Sequence, residues 1–277
     1  MDDSARHWDR MARGFRRWTP PLRPSSEDVA VPRRVAYEIY EKRRHPLKIV
    51  LWGVTPELAT LDWPPGTFLT AVDRSPGMIR YVWPGDVPGV RRAICADWRE
   101  TARLMEEPAD LLLGDGSFNT LRFPEAWREY LAAARSVLAD EGRLVLRFYV
   151  QAPRRQSPRE VLSELAAGRV RGFHAFKFLL AMAVQPSTVE GVRVADVWEA
   201  WNDLRAEIEA CPAAAAWEPK TVATIELYRN NPERYWFPTF AEIQTLFEEV
   251  VELISVEYPG YEMGDRCPTA VFRETGS

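Results

Sequence analysis

Five short apolar runs, most of them closing on glycine or aspartate, constrain this 277-residue chain more than any other feature. They are "KIVLWGV" (48–54), "TFLTAVD" (67–73), "VRRAICAD" (90–97), "ADLLLGD" (109–115) and "GRLVLRFYV" (142–150). Continuous apolar runs of this length, bounded by Gly, Pro and Asp, suit strands buried on both faces of a parallel sheet. Between the fourth and fifth lies "PEAWREYLAAARSVLADEG", in which Trp127, Tyr130, Leu131, Ala134 and Leu138 recur at helical spacing and Gly142 closes the segment. Strand and helix alternate, so the class is α/β with a doubly wound sheet.

The alternation has a beginning and a gap. Residues 1–45 read as helices around the proline-rich turn "TPPLRPSSEDV", where Ser25 or Ser26 suits an N-cap and Glu27 and Asp28 suit a first turn. Residues 151–240 are rich in tryptophan and read mainly as helices. Beyond them, "TFAEIQTLFEE" is a capped helix, and "VVELISVEY" and "CPTAVFRE" form an antiparallel hairpin around "PGYEMGDR". The expected architecture is a seven-stranded, mostly parallel sheet with an antiparallel C-terminal hairpin. Its core is 46–150 plus 241–277, with a helical N-terminal cap (1–45) and a helical insertion or lid (151–240).

Charge and cysteine content narrow the functional classes. The net charge of −4 gives no general attraction to nucleic acid. Basic residues concentrate in 1–50, where solvated helix faces compete with arginines turned toward an anion. No run reaches the roughly eighteen apolar residues of a membrane helix, and the charged "MDDSARHWDRMARGF" does not read as a signal peptide. Cys95, Cys211 and Cys267 are too few and too scattered for a disulfide framework or a zinc site. Three histidines without paired spacing complete the expectation of a cytoplasmic protein with no bound metal, no membrane and no nucleic-acid partner.

In a doubly wound sheet, ligands sit beyond the carboxyl ends of the strands, at the switch point of strand order. The first strand ends in Gly53-Val54-Thr55-Pro56-Glu57, with Thr55 placed to cap a helix, Pro56 at its first position and Glu57 in its first turn. The second ends in "AVDRSPGMI", where Asp73 stands twenty residues after Gly53, at a distance suited to accepting both hydroxyls of a ribose. Arg74 follows it, and Met78 lies one turn into the next helix. The third ends in "CADW", with Asp97 placed for an exocyclic adenine amine and Trp98 for stacking. The fourth ends in Asp115-Gly116-Ser117. Each Asp alone suits a helix cap; four such strand ends in order suit a nucleoside.

This order resembles a class I S-adenosylmethionine-dependent methyltransferase. "AVDRSPGMI" is similar to the family's acidic ribose motif, "CADW" to its adenine-binding turn, "RSVLADEGRLVL" to its helix leading into the fifth strand, and "VVELISVEY…TAVFRE" to its last two strands. The resemblance covers most of 46–150 and the final thirty-odd residues. It implies S-adenosylmethionine as cofactor and S-adenosylhomocysteine as product. The first loop departs from it: the family's acidic residue and repeated glycines are replaced by "GVTPELA". A capped helix start there offers free amides to an anion. Gly53, Val54 and Thr55 are therefore expected to line the methionine moiety, with Arg23 from the cap as the candidate for its carboxylate and Trp18 as a cover.

Methyl transfer from a sulfonium needs positioning and exclusion of water rather than a triad. A base is required only for an acceptor that must lose a proton, and Asp115, His174 and Tyr228 are the candidates. The insertion is expected to hold a small organic acceptor. Its aromatic residues pack as a lid core or line a pocket, and Arg147, Arg171 and Lys177 are weak candidates for an anion site. Two other classes stand beside this one: a non-catalytic S-adenosylmethionine-binding interaction protein, and an NAD(P)-dependent oxidoreductase, which the absent GxGxxG disfavours. Oligomeric state has no signature.

Overall fold

A computed structural model describes residues 3–274. The five runs become β1 (Lys48–Trp52), β2 (Phe68–Asp73), β3 (Arg91–Cys95), β4 (Ala109–Asp115) and β5 (Leu138–Arg147). Two residue pairs in the insertion, β6 (Val192–Arg193) and β7 (Arg234–Tyr235), form a separate antiparallel ribbon. The chain closes with β8 (Val251–Glu257) and β9 (Thr269–Glu274). The main sheet runs β3-β2-β1-β4-β5-β9-β8, parallel throughout except for β9, which is antiparallel to both its neighbours. Strand order reverses between β1 and β4, so the loops after these two strands diverge and leave a crevice at their carboxyl ends.

Side-chain alternation along β1 explains how one sheet carries two cores. Ile49 and Leu51 face a cluster with Val35 and Ala36 of α2 (Ser26–Arg43), while Val50 and Trp52 face Trp127 and Leu131 of α6 (Glu125–Val137). Both faces are covered, which is why β1 and β4 read as apolar throughout. The short helices α3 (Pro56–Ala59), α4 (Pro76–Tyr81) and α5 (Thr101–Leu104) follow β1, β2 and β3. Helix α1 (Asp3–Gly14) packs on α4, and Ser25 caps α2 in a capping box with Asp28.

After β5 come α7 (Pro158–Ala166), α8 (Phe173–Val184), α9 (Val194–Asp203), α10 (Arg205–Glu209), α11 (Pro212–Ala215) and α12 (Pro219–Val222). Helix α13 (Phe240–Phe247), capped by Thr239, leads into β8. Two boundaries differ from the sequence reading. The helix before β5 ends at Val137 and β5 begins at Leu138, four residues before Gly142, where the sequence reading began the strand; the tight turn, with Glu141 at φ +57° and Gly142 too close to the Ala139 carbonyl for a Cβ, falls within β5. The β6–β7 ribbon has no sequence signature, because two residues per strand carry no period.

Candidate functional site

The strand ends meet in one partly enclosed cavity. On its floor Gly53 adopts φ +106°, a conformation that favours glycine, and a Cβ there would meet nothing within 4 Å, so the loop leaves open space for a ligand. Val54 and Thr55 continue this wall. Thr55 stands at the N-cap position without capping; its hydroxyl instead donates to Asp115 at 3.4 Å.

Asp73 lines the same space with 9 % of its surface exposed. One carboxylate oxygen accepts the Ser75 amide at 2.8 Å. Burial dominates the electrostatics and raises the carboxyl from 3.8 to about 6, against the opposing pull of the Ser75 N–H and the Arg74 charge. A buried carboxylate of this kind gains from further hydrogen-bond donors. Arg74 and Met78 sit beside it in the cavity wall.

Trp98 also lines the cavity, stacked on Trp52 with centroids 5.6 Å apart and planes 8° apart, and its indole N–H donates to the Val72 carbonyl at 2.7 Å. Tyr130 closes edge-on against both rings. Asp97 is present but engaged: it caps the turn at Arg99, pairs with the Arg99 guanidinium and accepts the Tyr130 hydroxyl. Burial alone would raise its carboxyl, but the hydrogen bonds from Arg99 and Tyr130 prevail and hold it below the usual range.

Asp115, Gly116 and Ser117 complete the strand-end wall. Behind it lies a buried charge cluster. Arg147, 4 % exposed, donates to Asp115 at 2.6 Å, to the Pro21 carbonyl at 2.9 Å and to the Tyr149 hydroxyl at 3.0 Å, and stands 4.0 Å from Asp28. The cluster ties the turn between α1 and α2 to the end of β5. Arg147 therefore serves these partners rather than an anion in the insertion.

The opposite wall comes from the cap and the insertion. Trp8, Met11, Phe15 and Trp18 cover the cavity, joined by Phe178, Tyr228, Tyr235 and Phe237. Asp9 docks α1: its carboxylate accepts the Gly77 N–H at 2.9 Å and the Ser75 hydroxyl at 3.1 Å, at the start of α4. Gly77 permits this approach, since a Cβ there would stand 2.1 Å from the Asp9 oxygen. Of this wall the sequence reading named Trp18 as a cover, Tyr228 as a base, and Tyr228 and Tyr235 among the aromatic residues of a lid core or pocket. The spacing of residues 8, 11 and 15, three and four apart, was the available signal for Trp8, Met11 and Phe15.

Six expected site residues lie outside the cavity wall: Arg23, Glu57, Arg147, Arg171, His174 and Lys177. Arg23 donates to Glu57 Oε1 at 2.6 Å beside the α3 start, while Glu57 Oε2 is buried without a hydrogen-bond partner. His174 is buried on α8, with the Arg17 backbone as its polar neighbour but no well-formed hydrogen bond at either ring nitrogen. Burial and the nearby Lys177 charge lower its pKa to about 3. Lys177, 1 % exposed, has no hydrogen-bond partner for its ammonium, which lies 4.6 Å from the Tyr228 ring centroid; burial lowers it to about 7. Among the described residues no cluster of His, Cys, Asp or Glu could hold a metal ion, and no helix is long and apolar enough to cross a membrane.

No protein-family model and no curated protein matches the chain. Solved structures do. A Rhodobacter sphaeroides protein given provisionally as a zinc-dependent alcohol dehydrogenase is similar at 16% identity and TM-score 0.55, over 100% of this chain and 99% of that one. The N-methyltransferase NodS of Bradyrhizobium japonicum WM9, in complex with S-adenosylhomocysteine, is similar at 13% identity and TM-score 0.53, over 99% and 100%. A Nostoc punctiforme protein given provisionally as an O-methyltransferase is similar at 13% identity and TM-score 0.50, over 96% of this chain and 60% of that one. At these identities the likeness establishes the fold.

Proposed function

The chain carries the seven-stranded Rossmann-like fold of S-adenosylmethionine-dependent methyltransferases, and on that footing we propose that it binds S-adenosylmethionine and transfers its methyl group to a small organic molecule. The carrying observation is Asp73: a buried carboxyl raised to about 6, beside the open backbone of Gly53 in a cavity with aromatic walls. Two ribose hydroxyls are the donors such a carboxylate lacks. Trp98 and Met78 would flank the adenine, with Asp97 contributing little because its oxygens are taken by Arg99 and Tyr130. Gly53, Val54, Thr55, Gly116 and Ser117 would line the methionine end. The Ser117 hydroxyl, buried without a partner, is the available side-chain donor there.

When bound, the cofactor supplies a methyl group on a positively charged sulfur, already activated toward displacement. The residues then act by position. The aromatic lid and the strand-end wall exclude water and hold the acceptor in line. None of the three candidate bases is disposed to take a proton. Asp115 is committed to Arg147, His174 lies outside the cavity, and burial pushes the Tyr228 phenol well above its ordinary value. The acceptor therefore attacks with a lone pair it already holds. Three unpaired cysteines suit a cytoplasmic setting.

Titration calorimetry with S-adenosylmethionine, S-adenosylhomocysteine and NADH tests the proposal. Micromolar binding of the first two, weakened by Asp73→Asn, supports it. Binding of NADH alone refutes it, and binding without methyl transfer to any compound of a metabolite extract assigns the chain to non-catalytic binding.

A further inference from the structure

Two buried nitrogen donors stand unpartnered where the cap meets the insertion: the Trp18 indole N–H and the Lys177 ammonium. Both adjoin the segment Leu227–Tyr228. A Cβ on Gly14 would stand 3.8 Å from Trp18 Nε1 and 3.7 Å from Leu227 Cδ1, so the indole edge and Leu227 flank the same point at the end of α1. The Lys177 ammonium lies 4.6 Å from the Tyr228 ring centroid and 5.7 Å from that of Phe173. Trp18 and Tyr228 line the cavity, and Lys177 stands one ring behind it.

An ammonium so placed is half of an ion pair. Lys177 is 1 % exposed, and no carboxylate among the described residues pairs with it. His174, the titratable neighbour on its own helix, is held neutral by burial and by Lys177 itself. The acids of the cavity wall are engaged at the strand ends: Asp73 by the Ser75 amide, Asp97 by Arg99 and Tyr130, Asp115 by Arg147. Folding has already taken the ammonium out of water, so an entering anion bears only its own desolvation. A carboxylate packed on the cavity side of Tyr228 would stand about 8 Å from the ammonium, a separation at which an effective dielectric of about 20 leaves an attraction worth about 10- to 30-fold in affinity.

We propose that the methyl acceptor is an apolar ring compound bearing a carboxylate, with Lys177 as the counter-charge behind Tyr228 and the Trp18 indole N–H as a donor to a carboxylate oxygen. This rests on the methyltransferase reading and adds the substrate class to it. Met11, Phe15, Phe178 and Phe237 of the same wall suit the ring body. The cofactor also carries a carboxylate, but the residues proposed for it, from Asp73 and Trp98 to Gly53, Val54 and Thr55, all belong to the strand-end wall, whereas Trp18, Tyr228 and Lys177 belong to the cap and insertion. A cationic acceptor would face Lys177 as a like charge. A neutral amide of the same shape keeps a hydrogen-bond acceptor for Trp18 and lacks the charge.

Calorimetry on the full chain, with and without saturating S-adenosylhomocysteine, tests this with three bicyclic probes of one shape: 2-naphthoate, 2-naphthamide and 2-naphthylmethylammonium. The expected order places 2-naphthoate about tenfold above 2-naphthamide, with the ammonium weakest. Lys177→Met should erase the gap between the first two while 2-naphthamide affinity stays within about twofold. Misfolding would not explain that loss, because removing an unpaired buried charge should raise the melting temperature. Trp18→Phe, which keeps Lys177, should weaken 2-naphthoate about 3- to 10-fold more than 2-naphthamide, since the bond to a charged oxygen is the stronger, and serves if the first variant does not fold. Equal or better binding of 2-naphthamide, a 2-naphthoate preference untouched by both variants, or no binding of any probe overturns the assignment. So does a Lys177→Met chain that loses S-adenosylhomocysteine affinity as steeply as 2-naphthoate affinity, which would give the carboxylate to the cofactor. Failure of S-adenosylhomocysteine to bind the parent chain refutes the cofactor reading instead, and the probe order measured without it still reports on the pocket.

Discussion

Protonation of Asp73 should couple cofactor binding and stability to pH with opposite signs. In the unliganded chain burial holds this carboxyl near 6 rather than 3.8, so between these values the folded chain keeps a proton that the unfolded chain has released. Ionised Asp73 thus costs stability at neutral pH, by about 3 kcal/mol, and the cost is relieved as pH falls through 6 toward 4. Ribose hydroxyls favour the ionised form and pull the bound pKa down. Affinity is then complete above about pH 7 and declines as pH falls through 6. At about pH 5 roughly a tenth of the carboxyl is ionised, so S-adenosylhomocysteine, which itself keeps one charge state over this interval, should bind roughly tenfold more weakly than at pH 7.5. Asp73→Asn removes the charge and the titration together. It should bind S-adenosylhomocysteine about 10- to 100-fold more weakly at pH 7.5, as expected for charge-assisted hydrogen bonds. Its affinity should vary little down to pH 5, and the unliganded variant should melt higher than the parent at neutral pH. Calorimetry across pH, paired with thermal melts of both chains, reads all three. An affinity flat in pH for the parent chain, or an Asn variant that binds equally well, would refute the assignment of Asp73 to the ribose.

Other perturbations separate the lid, the buried charges and the first loop. Gly77→Ala places a methyl where Asp9 now sits, so α1 should undock at a cost of about 2 kcal/mol in hydrogen bonds to a carboxylate; faster proteolysis within residues 3–18 and altered Trp8 and Trp18 fluorescence would report it. Arg147→Met leaves Asp115 and Asp28 buried without a counter-charge and should destabilise by about 3–5 kcal/mol in urea denaturation. Lys177→Met should do the reverse, gaining about 1–4 kcal/mol. Burial lowers Lys177 to about 7, so the folded chain gives up a proton that the unfolded chain keeps to about pH 10, and stability rises with pH across that interval; the Met variant should lose the slope. Arg23→Ala breaks a partly buried ion pair with Glu57 and should leave S-adenosylhomocysteine affinity within about twofold, measured by the same calorimetry.

The sheet was legible because burial on both faces writes itself into β1 and β4 as unbroken apolar runs, and because a strand-to-helix turn needs Gly, Asp or Ser at a set place. Those local requirements suffice to order five strands and to bring Gly53, Asp73, Trp98 and Asp115 to one edge once the switch-point rule is applied. They do not say which side chains a charged residue will meet. Asp97 and Arg23 read as ligand groups along the chain, yet in the fold Arg99 and Tyr130 take up the Asp97 oxygens and Arg23 turns to Glu57.

Nor does sequence distance show that Asp9 reaches Gly77, that Pro21 accepts from Arg147, or that His7 of α1 meets Tyr235 of the insertion. Local sequence determined the sheet and the row of strand ends, since both follow from backbone hydrogen bonding and burial within a few residues. The pairing of charges, the aromatic roof and the contacts of His7 with Asn231 and Tyr235 were decided only by tertiary structure, because each depends on contacts between segments up to 228 residues apart.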